Sequence, residues 1–488
     1  MAAEATGLAG RQGALDALVR AMRVPADQAD NAALIDTAAS AIQHCVSEMG
    51  KLGAAAVTRI CLFDELAWPH LRRLTGSYLQ ARNETGASAT EWRIGDSYYA
   101  GLLSAYRFTL GAENAGRLQR GKRLELMVRQ LRCIGNLLKW RAMAYYAADK
   151  ALWHEAAALY RAARAEGLTG RQVALRQERS AQTSIERELA RLIALSSAGL
   201  DQMPPGSVDV TDRIIRYALP ALRLQSTPPE GVRYGFALST DAPPQRVDGG
   251  TGIDGEDVLY LWCDEAVAVL DELAGVVTRG LVPAALADGA VPRDTVLGGI
   301  HHLRRLWAGP RRVRRHRRHP LSGRLRALMG IKRLQSQFAE ERHEPGEAWH
   351  WNMLDVSRNG IGILVPGADC EQICVGDILG VQAEDGETWH VGIVRRIVRV
   401  EGGDGIVGME TIAKSVTTAS IDNGQALTDA LVCDPVRRGG SVRIAHSPGD
   451  PSGGDLVFLS QSGRVCKLRR LSTLVRGSGY ELSSYHVL

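Results

Sequence analysis

The chain has 488 residues, 45% of them hydrophobic, so it is long enough for several domains of ~100–200 residues, each with its own core. Its net charge of +5, from 59 Lys/Arg against 54 Asp/Glu, excludes a uniformly basic coat for nucleic acid. The charge is local: His301 to Pro345 holds 13 Lys/Arg and 3 Asp/Glu, a local +10. No run of ~18 apolar residues is present, so no membrane span is expected. The eight scattered cysteines contain no CxxC pair, which argues against zinc and for free thiols in a reducing compartment. No basic stretch with an apolar core behind it opens the sequence, so the expected location is the cytoplasm.

Residues 1–202 read as helical. Ile35, Ala38, Ile42, Cys45 and Met49 step by three and four, as do Leu124, Met127, Leu131, Ile134 and Leu138. Trp140, Met143, Ala144, Ala156, Tyr160 and Ala163 resemble one tetratricopeptide unit, whose large and small residues let two antiparallel helices approach closely. Ala147 and Leu168 depart from that pattern and only one unit is visible, so a helical bundle and a short helical repeat both remain open. Met203-Pro204-Pro205-Gly206 reads as a hinge.

Residues 203–300 read as a mixed α/β segment. A helix is expected within 211–224, strands over 232–239 and 258–262, and a helix over 263–275. The loop between the strands holds Gly250-Thr251-Gly252-Ile253-Asp254-Gly255, formally GxGxxG. It lacks the preceding strand and following helix of a dinucleotide site, and we read it as a plain loop.

Residues 301–322 read as a basic linker. Arg311 to Arg318 holds six arginines in eight residues, which like charge should keep extended and open to protease. Beyond it, strand-like runs separated by Gly-rich turns cover 323–420 and suggest a small antiparallel barrel. Gln335 to Trp349 reads as a polar hairpin insertion. Residues 425–488 carry four more strand-like runs, either a second small β-module or extra strands on the barrel. The expected fold class is therefore multidomain α+β.

The candidate site combines two short signals. Arg314 and Arg318 stand four apart, and 37 residues later comes Asp355-Val356-Ser357-Arg358-Asn359-Gly360. Arg311 and Arg315 fit the same RxxxR spacing, so the register is open. RxxxR followed by D-x-S-x-x-G resembles the PilZ domain, a small β-barrel family that binds cyclic di-GMP; the resemblance covers roughly 310–415. It implies a PilZ-like barrel whose ligand is cyclic di-GMP, with Arg311, Arg314, Arg315, Arg318, Asp355, Ser357 and Gly360 as candidate ligand residues. The chemistry suits such a ligand. Arginine forks pair with phosphate or with guanine O6/N7, a carboxylate accepts from guanine N–H groups, and glycine lets the backbone come close to a ring.

No HExxH, GxxxxGK[ST] or GxSxG occurs, so a binding protein is expected, not an enzyme, with no metal or further cofactor. The helical half would meet an unknown protein partner. Two alternatives stand beside this: a PilZ-like barrel without ligand that serves as an interaction scaffold, and a nucleic-acid binder using the Arg-rich segment as a basic arm. Trp351 and Trp389 are expected in a core, with stacking of one tryptophan on a base as the alternative.

Overall fold

The structure is a computed structural model and describes residues 16–48, 54–85, 89–111, 118–175, 182–228, 233–247, 253, 255–287, 291–309, 316–338, 348–400, 403–448, 456–461 and 463–488. The chain divides into two compact units, one of residues 1–200 and 205–312, the other of 201–204 and 313–488.

The first unit is mainly helical: α1 (Asn31–Glu48), α2 (Ala54–Thr85), α3 (Ala89–Leu110), α4 (Arg120–Met143), α5 (Lys150–Ala165), α6 (Ile185–Ser197) and α7 (Pro205–Ala218). The apolar steps named above are the inward faces: Ile35, Ala38 and Ile42 of α1 and Leu131 and Ile134 of α4 are buried. Cys45 and Met49 fall outside the described side chains. Helix α4 is buried on nearly every side, because α3, α5, α6 and α7 all pack on it. Of the open alternatives, this is a bundle around α4. Trp140, Met143, Ala144, Ala156, Tyr160 and Ala163 are all buried at the α4 and α5 pair. After α5 the chain turns into a two-stranded ribbon, β1 (Val173–Ala174) with β2 (Gln182–Thr183), before α6.

The segment expected as separate, 203–300, belongs largely to this same unit. Strands β3 (Arg223–Gln225), β4 (Arg233–Ala237), β5 (Gln245–Val247) and β6 (Val258–Trp262) form an antiparallel sheet in the order β3-β6-β4-β5, followed by α8 (Asp264–Thr278) and α9 (Arg293–Ala308). Pro205 begins α7 instead of breaking a helix, since a proline in the first turn loses no hydrogen bond. Most of the GxGxxG loop lies outside the described residues; contrary to expectation a short strand, β5, does precede it, but the next described element is strand β6 and not the helix that a dinucleotide site needs. The linker expected at 301–322 is also corrected. Its first part is the end of α9, held by buried Leu303 and Trp307, and His319 already opens a strand.

The second unit holds two closed six-stranded barrels. The first comprises β7 (His319–Met329), β8 (Trp349–Ser357), β9 (Gly360–Val365), β10 (Ile378–Ala383), β11 (Trp389–Arg399) and β12 (Gly405–Ala413), ordered β10-β11-β12-β9-β8-β7. Its inward positions, including Leu325, Ile363, Val365, Val391, Ile397 and Val407, are almost fully buried, the alternation that a barrel wall requires. Trp351 and Trp389 are buried, as expected. The span read as a hairpin insertion instead begins as a helix, α10 (Ile331–Phe338). Its two buried residues, Ile331 and Leu334, sit three apart amid Lys332, Arg333, Gln335, Ser336 and Gln337, so polar composition masks the helical spacing. Leu334 fills the space left open at Gly380, where a Cβ would lie 2.4 Å from its Cδ2.

The second barrel comprises β13 (Thr417–Asp422), β14 (Leu427–Val432), β15 (Ser441–His446), β16 (Leu456–Gln461), β17 (Arg464–Gly477) and β18 (Tyr480–Val487). Of the two expectations for the tail, it is a barrel with its own core of Ala430, Val442, Ile444, Leu459, Leu468 and Tyr485. A further cluster joins Ile378, Trp389 and Ile393 of the first barrel to Leu431, Ala445 and Leu482 of the second. Among the described residues no helix is long and apolar enough to cross a membrane. The seven cysteines whose surroundings are described are free thiols.

A glycine lane on the first barrel

The D-x-S-x-x-G motif is the turn between β8 and β9. Ser357 pairs with Gly360 across it, and Asp355 pairs with Gly362 two residues back, the last pair before a bulge between Met353 and Asp355. Strand direction then builds a row across four strands. Gly362 pairs with Gly408 of β12, and Gly408 with Arg396 of β11. Residues on neighbouring strands at one register point to the same side. The outer face of this barrel therefore carries, side by side, a carboxylate, two glycines and a guanidinium.

Arg318 stands just before β7, and its Nη1 donates to both Asp355 oxygens at 2.9 Å. Both side chains are partly open to solvent, 40% and 26% exposed. Gly362 is a glycine because of this pair: a Cβ there would lie 2.8 Å from Asp355 Oδ1. Gly408 is different. A Cβ there would meet nothing nearer than Arg396 Cβ at 3.6 Å, with Arg318 Nη2 at 4.0 Å. Its missing side chain thus leaves an open floor under the Arg318 guanidinium.

The lane has unlike borders. On one side Leu364 pairs with Ile406 and Ile406 with Val398, an apolar row in which Ile406 is 43% exposed. On the other, Gly360 pairs with Glu410, whose carboxylate accepts from Arg395 Nε at 2.7 Å. Ser357 Oγ donates to the Gly360 carbonyl at 3.3 Å, a long and weak bond that leaves the hydroxyl available. Gly360 is not in the left-handed backbone region. A side chain is excluded there by the Met409 carbonyl, 3.0 Å from where its Cβ would stand. Arg396 is ion-paired with Asp201.

Of the seven residues expected in the site, Arg318, Asp355, Ser357 and Gly360 come together here. Arg311, Arg314 and Arg315 lie outside the described residues. Sequence reading missed Gly362, Gly408 and Arg396. The first had a local signal, since G-x-G spans Gly360 to Gly362; the other two enter only through the pairing of β9, β12 and β11.

The arrangement can hold a flat ring against bare backbone, offer an arginine to phosphate or guanine, and accept N–H groups at a carboxylate. Comparison with known families bears on the fold that carries it. Residues 327–417 match the family described as cyclic-di-GMP receptor FimW, middle PilZ domain, and residues 30–230 match cyclic-di-GMP receptor FimW, N-terminal domain. The chain therefore carries two domains of the cyclic-di-GMP receptor type, a helical N-terminal one and a PilZ domain at the first barrel, and cyclic di-GMP is the ligand of that receptor family. No curated protein matches the chain.

Proposed function

We propose that cyclic di-GMP binds on the glycine lane of the first barrel and that the lane works by exchange of partners at Asp355. The observation that carries this is the Arg318–Asp355 pair lying beside Gly362 and Gly408. Asp355 holds Arg318 through both of its oxygens. A guanine edge that donates to the carboxylate takes Arg318's place there. It frees the guanidinium for a phosphate or for guanine O6/N7, both bidentate partners of arginine. Ser357 and the close backbone at Gly360 border the ligand. A second arginine from the preceding segment, Arg314 or the Arg311/Arg315 pair, completes the grip on the two phosphates.

That segment leads from the helical unit to β7. A ligand with two phosphates neutralises its six clustered arginines, a differential contact of the kind a population shift requires. The helical unit would carry the signal to a protein partner in the cytoplasm, without catalysis. Free thiols throughout the described residues support a reducing compartment.

Calorimetric titration of the whole chain with cyclic di-GMP tests this. Arg318→Ala and Asp355→Ala should each cost about 1.5–3 kcal/mol of binding, the range for a hydrogen bond to a charged group, or roughly tenfold and more in Kd. Arg311→Ala should cost less. Equal small losses at Arg311, Arg314, Arg315 and Arg318 would reduce the site to diffuse charge. A chain that binds nucleic acid instead would lose orders of magnitude in affinity between about 50 and 200 mM salt.

A further inference from the structure

The two barrels are copies of one topology. Numbering the strands within each, the first runs 1-2-3-6-5-4 around its wall (β7-β8-β9-β12-β11-β10), and β13-β14-β15-β18-β17-β16 runs in the same order. Both close by antiparallel pairing of the first and fourth strands.

The correspondence extends to residues. In the first barrel the third residue of the third strand, Gly362, pairs with Gly408, which pairs with Arg396 directly after a register shift in β11. In the second barrel the third residue of the third strand, Arg443, pairs with Ser484. Ser484 pairs with Ser472, again directly after a register shift, in β17. Asp434 and Gly439 repeat the D-x-x-x-x-G spacing, with Val436 in the place of Ser357, but two residues earlier relative to the third strand, which Gly360 opens and Gly439 precedes.

The copy carries different side chains on this face. Arg443 and Ser484 replace the two glycines, so no flat lane remains. In its place is an open, shallow cavity of about 570 Å3 lined by Asp434, Arg437, Ser441, Arg443, Leu474 and Ser484 among others, with room for a small ligand that stays partly exposed to water. Asp434 again holds the arginine: Arg443 donates to it through Nε at 2.8 Å and Nη2 at 2.6 Å. Nη2 also donates to the Ile412 carbonyl of β12 at 3.0 Å. Arg437 is exposed and makes no ion pair among the described residues.

We propose that this cavity is a second ligand site, for a phosphate monoester of mononucleotide size. With Arg443 balanced by Asp434, the lining keeps the one uncompensated charge of Arg437, suited to a single phosphoryl group. Arg437 and Arg443 hold the phosphate, the Ser441 and Ser484 hydroxyls donate to it, and Leu474, half exposed, lies against the organic part. The site is independent of the glycine lane.

The test is equilibrium dialysis of the whole chain against GMP, with inorganic phosphate as competitor and cyclic di-GMP present to occupy the first barrel. One GMP per chain should bind, displaced by phosphate. Arg437→Ala should weaken it roughly tenfold or more, with cyclic di-GMP binding unchanged, while Arg318→Ala should leave GMP binding intact. No GMP bound at millimolar concentration, binding indifferent to Arg437→Ala, or binding lost in Arg318→Ala would overturn the proposal. Each of these is distinct from a failure of cyclic di-GMP itself to bind.

Discussion

The helical unit and the first barrel both rest on arginine–carboxylate pairs, and they use them in opposite ways. In the helical unit Arg191 is 1% exposed and donates to both oxygens of Asp212, which also takes Arg216, while Arg132 is paired with buried Glu188. Gly135 of α4 makes room for the Arg191 guanidinium: a Cβ there would sit 2.8 Å from Nη1. Arg129 is likewise buried and meets Asp64, Glu65 and Glu125. On the barrel the Arg318–Asp355 pair stands open to water on a surface of bare backbone. The first arrangement is closed to a ligand by burial, although Arg191 Nη1 and Glu188 Oε2, 3.8 Å apart, make no hydrogen bond. The second keeps donors and acceptors within reach of one, and exposed pairs of this kind contribute only ~0–1 kcal/mol to folding. Burial, more than residue type, separates a charge that holds the fold from one that serves a site.

The contrast breaks if the buried pairs prove dispensable. Asp212→Ala leaves the Arg191 charge buried without its partner and should destabilise the helical unit by about 3–5 kcal/mol, measured by urea unfolding followed through the helical far-UV signal. Arg318→Ala, by contrast, should unfold within ~1 kcal/mol of wild type while losing ligand affinity.

Acid should act on the same network. Burial alone would raise the Asp212 carboxyl, but Arg191, Arg216 and Lys139 outweigh it and hold the group far below its ordinary value. Glu188 is held down against burial chiefly by Arg132 and Arg191, and Asp209 by Lys139 and Arg213. Carboxyls depressed in the folded state stabilise it fully above their unfolded values. That stability is lost as pH falls through the ordinary carboxylate range, about 4 and below. The thermal midpoint of the helical signal should therefore be flat near neutrality and fall steeply below about pH 4. A flat midpoint through that range would mean the network does not stabilise the unit.

The motif at the β8–β9 turn was legible because all its parts are local in sequence, from Asp355 to Gly360. The floor of the site was not. Gly408 lies 48 positions beyond Gly360 in the run G-I-V-G-M-E, which shows only that a strand contains glycine. Its place opposite Gly362 depends on the non-local pairing of β9 with β12. The second barrel shows the same limit. Its strands at 441–446 and 480–487 could be read from alternation, but closure through β13 and β16 joins segments with no sequence signal for each other. The start of β7 was hidden for another reason: from His319 to Arg324 every residue is exposed, so no alternation marks it.

The smallest effect is expected at Ser357. Its bond to the Gly360 carbonyl is 3.3 Å long, so Ser357→Ala should leave stability unchanged and weaken cyclic di-GMP only a few-fold, near the ~0.5–1.5 kcal/mol of one neutral hydrogen bond. A loss as large as that of Arg318→Ala would place the serine, and not the arginine, at the centre of recognition.

Gly408 offers the most direct test of the lane itself, because the barrel has space for a side chain there and the ligand would not. A Cβ at Gly408 makes only ordinary contacts, and a β-branched residue suits a strand. Gly408→Val should therefore fold with wild-type stability. Calorimetric titration of this variant with cyclic di-GMP should show affinity reduced at least as far as in Arg318→Ala, with Ser484→Val at the matching position of the second barrel binding as wild type. Wild-type affinity in a folded Gly408→Val chain would contradict the placement of cyclic di-GMP on this face.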